Sequence, residues 1–366
     1  MIREGHLSVY DLTLTVRAPL FIGNGQKLGK TEYLFDSRND RLTVLDADKL
    51  LQFLLERNLA DSYEQFILSG QTNMYAFLKY TCGLTYGEIQ QLRLYQVRTS
   101  GALTEVKSLK EIKQFIRTAD NEIYVPGSSV KGALRTALLL NPVLQTQSGK
   151  DEQLHSKFKI DEKRYVNTLR YLNSKKDVAG DAVSSLLQGI RISDSAPVSN
   201  NCIVLASKAD ASTEGNVKSL NVLWECIAPG TKLHFKMTLD HSILDHAPFD
   251  GAMALDTGDI LRAVNGFSEY YQDHYLSKFR KPAGCADISW ENGLLLGGNA
   301  GYFSKTLSYP YFKERALAEV SGYMQVRFPI HKHQQDPRQG ISPHTMNYAR
   351  FDGRFYPMGL CGVEIT

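Results

Sequence analysis

The stretch Tyr124–Leu140, YVPGSSVKGALRTALLL, reads as the end of a strand, a tight turn and then a helix. Pro126 fixes its own backbone and ends the strand, Gly127 permits a turn conformation closed to other residues, and Ser128 or Ser129 caps a helix starting near Val130. Val130, Leu134, Ala137 and Leu138 recur at helical spacing as an apolar stripe, while Lys131 and Arg135 share another face. Asn141-Pro142 is expected to stop the helix. Unpaired N–H groups and aligned peptide dipoles favour an anion at a helix N-terminus, and Lys131 adds a full charge one turn away. A phosphate is the natural guest. An ordinary capped helix with solvated Lys131 and Arg135 is the plainer reading of the same residues.

Two nucleotide motifs are excluded. Gly127 and Gly132 have P-loop spacing, but Ala133 and Leu134 stand where its Lys and Ser or Thr belong. In FIGNGQKLGK (21–30), Leu28 occupies the third glycine position of a dinucleotide fingerprint, and an alternating segment follows rather than a helix.

The whole chain sets further bounds. Its 366 residues, 43% hydrophobic and 22% charged, suffice for two globular domains with real cores. A net charge of +3 restricts any nucleic-acid surface to local grooves. Basic residues cluster between Lys150 and Lys176, in a polar segment read as a solvated face. Five cysteines, at least 24 residues apart and without a CxxC pair, argue against a disulfide framework or a zinc site and for a reducing cytoplasm. The N-terminus lacks the apolar core of a leader, and no run approaches the roughly 18 apolar residues of a membrane span. The expectation is a cytoplasmic protein with no membrane partner.

Alternation predicts strands at Leu7–Val16, in EYLFD (32–36), in GIRISDSAPV (189–198) and in APGTKLHFKMTLD (228–240). The last of these weakly echoes the N-terminal strand. YMQVRFPI (323–330) and MGLCGVEI (358–365) also read as strands. Helices are expected after the Asp46 cap, in a mostly helical stretch to about Leu84, and in DTGDILRAVNGFSEYYQDHYLSKF (256–279). KADASTEGNVKS (208–219) reads as a linker or surface loop. The fold class is therefore α+β, as two related modules, residues 1–206 with a helical insertion and residues 207–366.

VPGSSVKGALRTAL (125–138) resembles the signature of the RAMP superfamily of CRISPR proteins, built from ferredoxin-like, RNA-recognition-type folds. FIGNGQKLGKTEYLFD (21–36), LLLGGNAGYFSKT (294–306) and PMGLCGVEI (357–365) are similar to the family of fifth Csm-type subunits of the type III-A effector complex. The resemblance spans both modules and implies two ferredoxin-like modules in tandem. It also implies a subunit that ends the backbone filament, binds the 3′ region of the CRISPR RNA and assists its 3′-end maturation in antiviral defence. The implied partners are the CRISPR RNA, the other Csm-type subunits, especially the repeated backbone subunit, and host nucleases. The RNA-binding residues expected on this reading are Gly23, Gly25, Lys27 and Lys30; Gly127, Ser128, Ser129, Lys131 and Arg135; and Gly297, Gly298, Asn299, Gly301 and Lys305. The aromatic stacking motif of a typical RNA-recognition module is missing from the chain. Tyr302 and Phe303 beside Gly301 read as core packing more readily than as base-stacking groups.

No catalytic residue, metal ligand or cofactor is assigned. The alternative is a metal-independent endoribonuclease of the same superfamily, with His331 and His333 on one strand face near Arg327 and Lys332. Those two histidines with Asp336 would also suit a metal, but a third ligand is not evident. His6, His155, His241, His246, His274 and His344 stand alone in the sequence and read as structural residues. Asp36, Asp46, Asp194 and Asp240, near strand ends, read as caps and turn formers. A protein adaptor without RNA contact is a third possibility.

Overall fold

The computed structural model describes residues 1–36, 39–102, 111–145, 185–245 and 255–366. The basic segment from Lys150 to Lys176 lies outside the described residues, as do His155 and His246. The architecture is α+β, with two sheets. The smaller, six-stranded sheet runs in the order Gly293–Leu295, Leu360–Ile365, Leu7–Val16, Lys232–Asp240, Ile190–Ile192, with Ile2–Glu4 also paired to Leu7–Val16. The nine-stranded sheet runs Gly23–Leu28, Ile112–Phe115, Val217–Ile227, Ile203–Ser212, Arg93–Arg98, Arg41–Leu45, Tyr33–Asp36. The hairpin Thr345–Phe351 and Arg354–Pro357 branches from Ile203–Ser212.

Alternation explains the central strand. Leu12, Leu14 and Val16 are buried while Asp11, Thr13 and Thr15 face outward. Leu7–Val16 pairs antiparallel with Lys232–Asp240 on one side and with Leu360–Ile365 on the other. The two segments that echo each other in sequence are thus direct neighbours. Neither sheet is built from one contiguous half of the chain. The division at 206/207 falls inside the strand Ile203–Ser212, and one hydrophobic core draws side chains from both sheets, including Leu12, Leu14, Tyr33, Leu42 and Val204.

Helices pack where their stripes require. In Thr257–His274 the buried residues Ile260, Val264, Phe267 and Tyr271 follow the helical period, and Asp256 and Asp259 form a capping box. Asp46 caps Ala47–Glu56 through the amides of Asp48 and Lys49. The helices between Ala47 and Gln91 enclose a satellite core of Leu50, Leu54, Phe66, Met74, Phe77 and Leu78, among others.

Several local expectations are corrected. The linker expected at 208–219 is a hairpin: Ala209 and Ala211 are buried on one face of Ile203–Ser212, and Gly215 turns the chain at φ +83°. Small residues that look like linker composition here satisfy a period of two. YMQVRFPI is not a strand, because Tyr323 and Met324 complete a helical pattern begun at Ala316 and Val320 in the helix Ala316–Arg327. HKH is not a strand either. Lys332 sits at φ 55° between the short turns Pro329–His331 and His333–Gln335, so His331 is exposed while His333 is buried. Asn141-Pro142 does not stop a helix; it opens the next one, Leu140–Gln145. The glycine-rich segment after Ile22 is a strand, Gly23–Leu28, with an irregularity between Gly23 and Lys27.

Candidate nucleic-acid interface

The helix Gly127–Leu138 begins three residues earlier than the serine caps predict, and neither serine caps it. Gly127 is not in the left-handed region of φ; its lack of a side chain matters because a methyl group there would lie 2.3 Å from the carbonyl oxygens of Ile192 and Ser193. The helix therefore starts against the backbone of the Ile190–Ile192 strand. Its first amide donates to the Asp194 carboxylate at 2.9 Å, and Ser129 N–H donates to the Pro126 carbonyl at 2.9 Å. An acidic side chain of the protein itself thus occupies the anion-favouring end of the helix.

One turn further along, the helix borders a cleft of about 720 Å³. Ser129, Gly132, Arg135 and Thr136 form one wall; Gly23, Gly25 and Lys27 come from the first strand of the larger sheet; Gly297, Gly298 and Lys305 come from the glycine loop. Segments more than a hundred residues apart in the chain meet here. Lys113, which the sequence did not single out, completes a set of four cations with Lys27, Arg135 and Lys305. Among the described residues lining the cleft there is no carboxylate and no histidine. The signal that could have found Lys113 is its strand, Ile112–Phe115, in which Ile112 and Phe115 are buried and Lys113 is exposed.

The glycines have distinct reasons. Gly298 N–H donates to the Phe21 carbonyl at 2.6 Å, and a methyl group on Gly298 would lie 2.7 Å from the Phe21 ring. At Gly297, at φ +83°, it would lie 2.4 Å from the same carbonyl. This loop is pressed onto Phe21, whose ring stacks on Trp224 at 5.5 Å. The close approach is thus to the protein's own chain.

The cations differ in their surroundings. Lys27 pairs with Glu111 at 3.0 Å, both largely exposed, an arrangement worth about 0–1 kcal/mol that a competing phosphate can replace. Lys113 stands over the Trp224 ring at 5.6 Å. Lys305 reaches solvent, yet the protein around it holds its ammonium below the ordinary lysine range through partial desolvation. An anion at this ammonium would replace part of the lost hydration.

The other expected residues lie elsewhere. Lys30 is exposed away from the cleft, and Ser128 is exposed at the helix start. Lys131 is half-buried on a different helix face, and its ammonium is held down by burial and by the positive charge of Arg191. Asn299, at φ 62°, turns its amide toward Met358 Sδ at 3.1 Å, and Gly301 is at φ +92° in open space. Tyr302 and Phe303 are core residues, and Ser304 is buried, its hydroxyl donating to the Ala300 carbonyl at 2.8 Å. Asp46, Asp194 and Asp240 all serve caps.

Comparison with known proteins identifies the family and the fold. A family model described as the RAMP superfamily matches residues 13–301. The chain is 28% identical over 308 residues to the CRISPR system Cms protein Csm5 of Streptococcus thermophilus, covering 81% of this chain and 80% of that one. It is 27% identical to the Csm5 protein of Mycobacterium tuberculosis (strain H37Rv) over 98% of each. Among solved structures, a chain of the Csm–crRNA–target RNA ternary complex of a type III-A CRISPR-Cas system superposes with a TM-score of 0.62 at 20% identity, covering 97% of this chain and 100% of that chain. Crystalline Csm5 of T. onnurineus superposes with a TM-score of 0.59 at 19% identity, covering 96% and 99%. At these identities the superpositions establish the shared fold.

Proposed function

Since the chain belongs to the RAMP superfamily, we propose that it is a subunit of a type III-A CRISPR effector complex and holds the 3′ region of the CRISPR RNA in the four-cation cleft. It ends the backbone filament beside the repeated subunit and assists 3′-end maturation, with host nucleases making the cuts. Its place of action on this reading is the cytoplasm; among the described residues no helix is long and apolar enough to cross a membrane. The observation that carries the proposal is the cleft itself. It gathers Lys27, Lys113, Arg135 and Lys305 with glycine-rich backbone and without a lining carboxylate, a composition suited to a phosphodiester chain.

The test is binding of fluorescent single-stranded RNA, by the protein alone and in the assembled complex, across a salt series. Lys113→Ala and Lys305→Ala should each lower the slope of log affinity against log salt by about 0.7, alike for all sequences. Lys131→Ala, outside the cleft, should change it less. Since the Lys305 ammonium is already held low, affinity should fall on alkaline titration before the ordinary lysine range, as the neutral amine no longer attracts phosphate. Full slopes in both cleft variants would remove the cleft from the interface, and an absence of salt-dependent binding in either form would identify an adaptor.

The protein is proposed to bind and not to cut. Purified protein should leave single-stranded RNA intact with or without divalent metal. A defined cut that disappears in His331→Ala or His333→Ala would establish the nuclease instead.

A further inference from the structure

Far from the cleft in sequence, the chain brings together three side chains with metal-binding chemistry. Asp336 opens the short helix Asp336–Gln339 and is fully buried. His333 Nδ1 lies 2.9 Å from its Oδ2, and His344 Nδ1 lies 2.5 Å from its Oδ1. One ligand atom from each of the three residues falls within 4.8 Å of the others. Two features of the surrounding chain hold this arrangement. Lys332, in the left-handed region, turns His333 inward while His331 stays outside. Tyr309 accepts from the Ser342 amide and donates to the Ser342 carbonyl, both at 2.8 Å, which anchors the segment leading to His344.

We propose that His333, Asp336 and His344 bind a divalent transition-metal ion, Zn²⁺ foremost. Two imidazoles and one carboxylate are a donor set that Zn²⁺ takes with water in the fourth position. A carboxylate without solvent exposure, between two imidazoles, is placed where a dication supplies the strongest compensation. Tetrahedral Zn²⁺ with bonds of about 2.0–2.1 Å needs ligand atoms roughly 3.3 Å apart, so the trio must open by about half an ångström or more. His344, whose side chain is partly exposed, has the freedom to move. On binding through Nδ1, each neutral imidazole carries its proton on Nε2, and any imidazolium releases one proton to solvent. The ion clips the 333–339 turn to the strand Thr345–Phe351. This differs from the RNA cleft in residues and in chemistry.

The test uses tag-free protein, dialysed against a chelator and titrated with ZnCl2 or CoCl2 alone. Calorimetry should give one ion per chain, Co²⁺ should show the visible absorption of a four-coordinate nitrogen and oxygen site, and Zn²⁺ should raise Tm. His344→Ala and His333→Ala should each lower affinity by about 100-fold or more, a loss at least as large as removal of supporting residues produces. His331→Ala, one turn away and exposed, should bind as the parent does. Absence of saturable binding by the parent, equal affinity in His344→Ala, or a loss in His331→Ala matching that in His344→Ala would overturn the proposal, the last two by showing adventitious surface chelation. If the alanine variants fail to fold, the parent decides: a Tm unchanged by Zn²⁺ after chelation is the overturning result.

Discussion

Glu225 has no solvent exposure in the nine-stranded sheet, and its partners come from distant parts of the chain. The Tyr95 hydroxyl donates to it at 2.7 Å, the Phe115 amide at 3.1 Å, and the Arg117 guanidinium lies 3.6 Å away, stacked 3.8 Å above the Tyr95 ring. Burial raises the Glu225 carboxyl above its ordinary range, and Arg117, Tyr95 and the Phe115 amide together offset part of that rise. Arg117→Ala should therefore destabilise by about 3–5 kcal/mol near neutral pH, because it leaves a buried carboxylate uncompensated. The penalty should shrink as pH falls, since protonated Glu225 no longer needs the cation. Urea denaturation of parent and variant at several pH values measures this, and a pH-independent difference would assign Arg117 to packing alone. Nothing in the sequence marks this network. Tyr95 and Glu225 are separated by 130 positions, and an isolated Glu in an apolar strand gives no partner away. The approach of His344 to Asp336 is hidden for the same reason, because it arises across a turn that no periodicity announces.

At the scale of elements, the helix Gly127–Leu138 contains two glycines with opposite expectations. Gly127→Ala places a methyl group 2.3 Å from two backbone carbonyls and should cost about 1–3 kcal/mol as the helix is pushed off its strand. Gly132 has nothing within 4 Å of the added carbon, so Gly132→Ala should stabilise by about 0.5–1 kcal/mol through helix propensity. Thermal unfolding of both variants separates these effects, and equal midpoints would show that the carbonyls of Ile192 and Ser193 yield freely. The helix, its apolar stripe and its Pro126 boundary were legible because they depend on neighbours in sequence. Its partner at the N-terminus was not, since Asp194 arrives from 67 positions away. The hairpin at 345–357 does carry a local signal in the sequence: Asp352-Gly353, both at positive φ, is the turn a two-residue hairpin favours.

On the scale of the whole molecule, the N-terminal strand is the constraint. Leu7–Val16 lies between Lys232–Asp240 and Leu360–Ile365, and Ile203–Ser212 crosses the sequence-expected boundary. Fragments 1–206 and 207–366 should each lack cooperative unfolding when produced alone and regain it when mixed, as followed by circular dichroism and calorimetry. Two independently cooperative fragments would restore the division into sequential modules. The amino-acid sequence by itself determined the α+β class, the strands Leu7–Val16, Tyr33–Asp36, Ile190–Ile192, Lys232–Asp240 and Leu360–Ile365, the main amphipathic helices and three of the segments that form the cleft, because periodicity, caps and glycine-rich motifs are local properties of the chain. Tertiary structure alone decided that these segments meet, that Lys113 joins them while Lys131 does not, and that His344 reaches Asp336. Those outcomes depend on strand order and register, which are set by the burial of apolar faces drawn from both halves of the chain and are not encoded in any single window of residues.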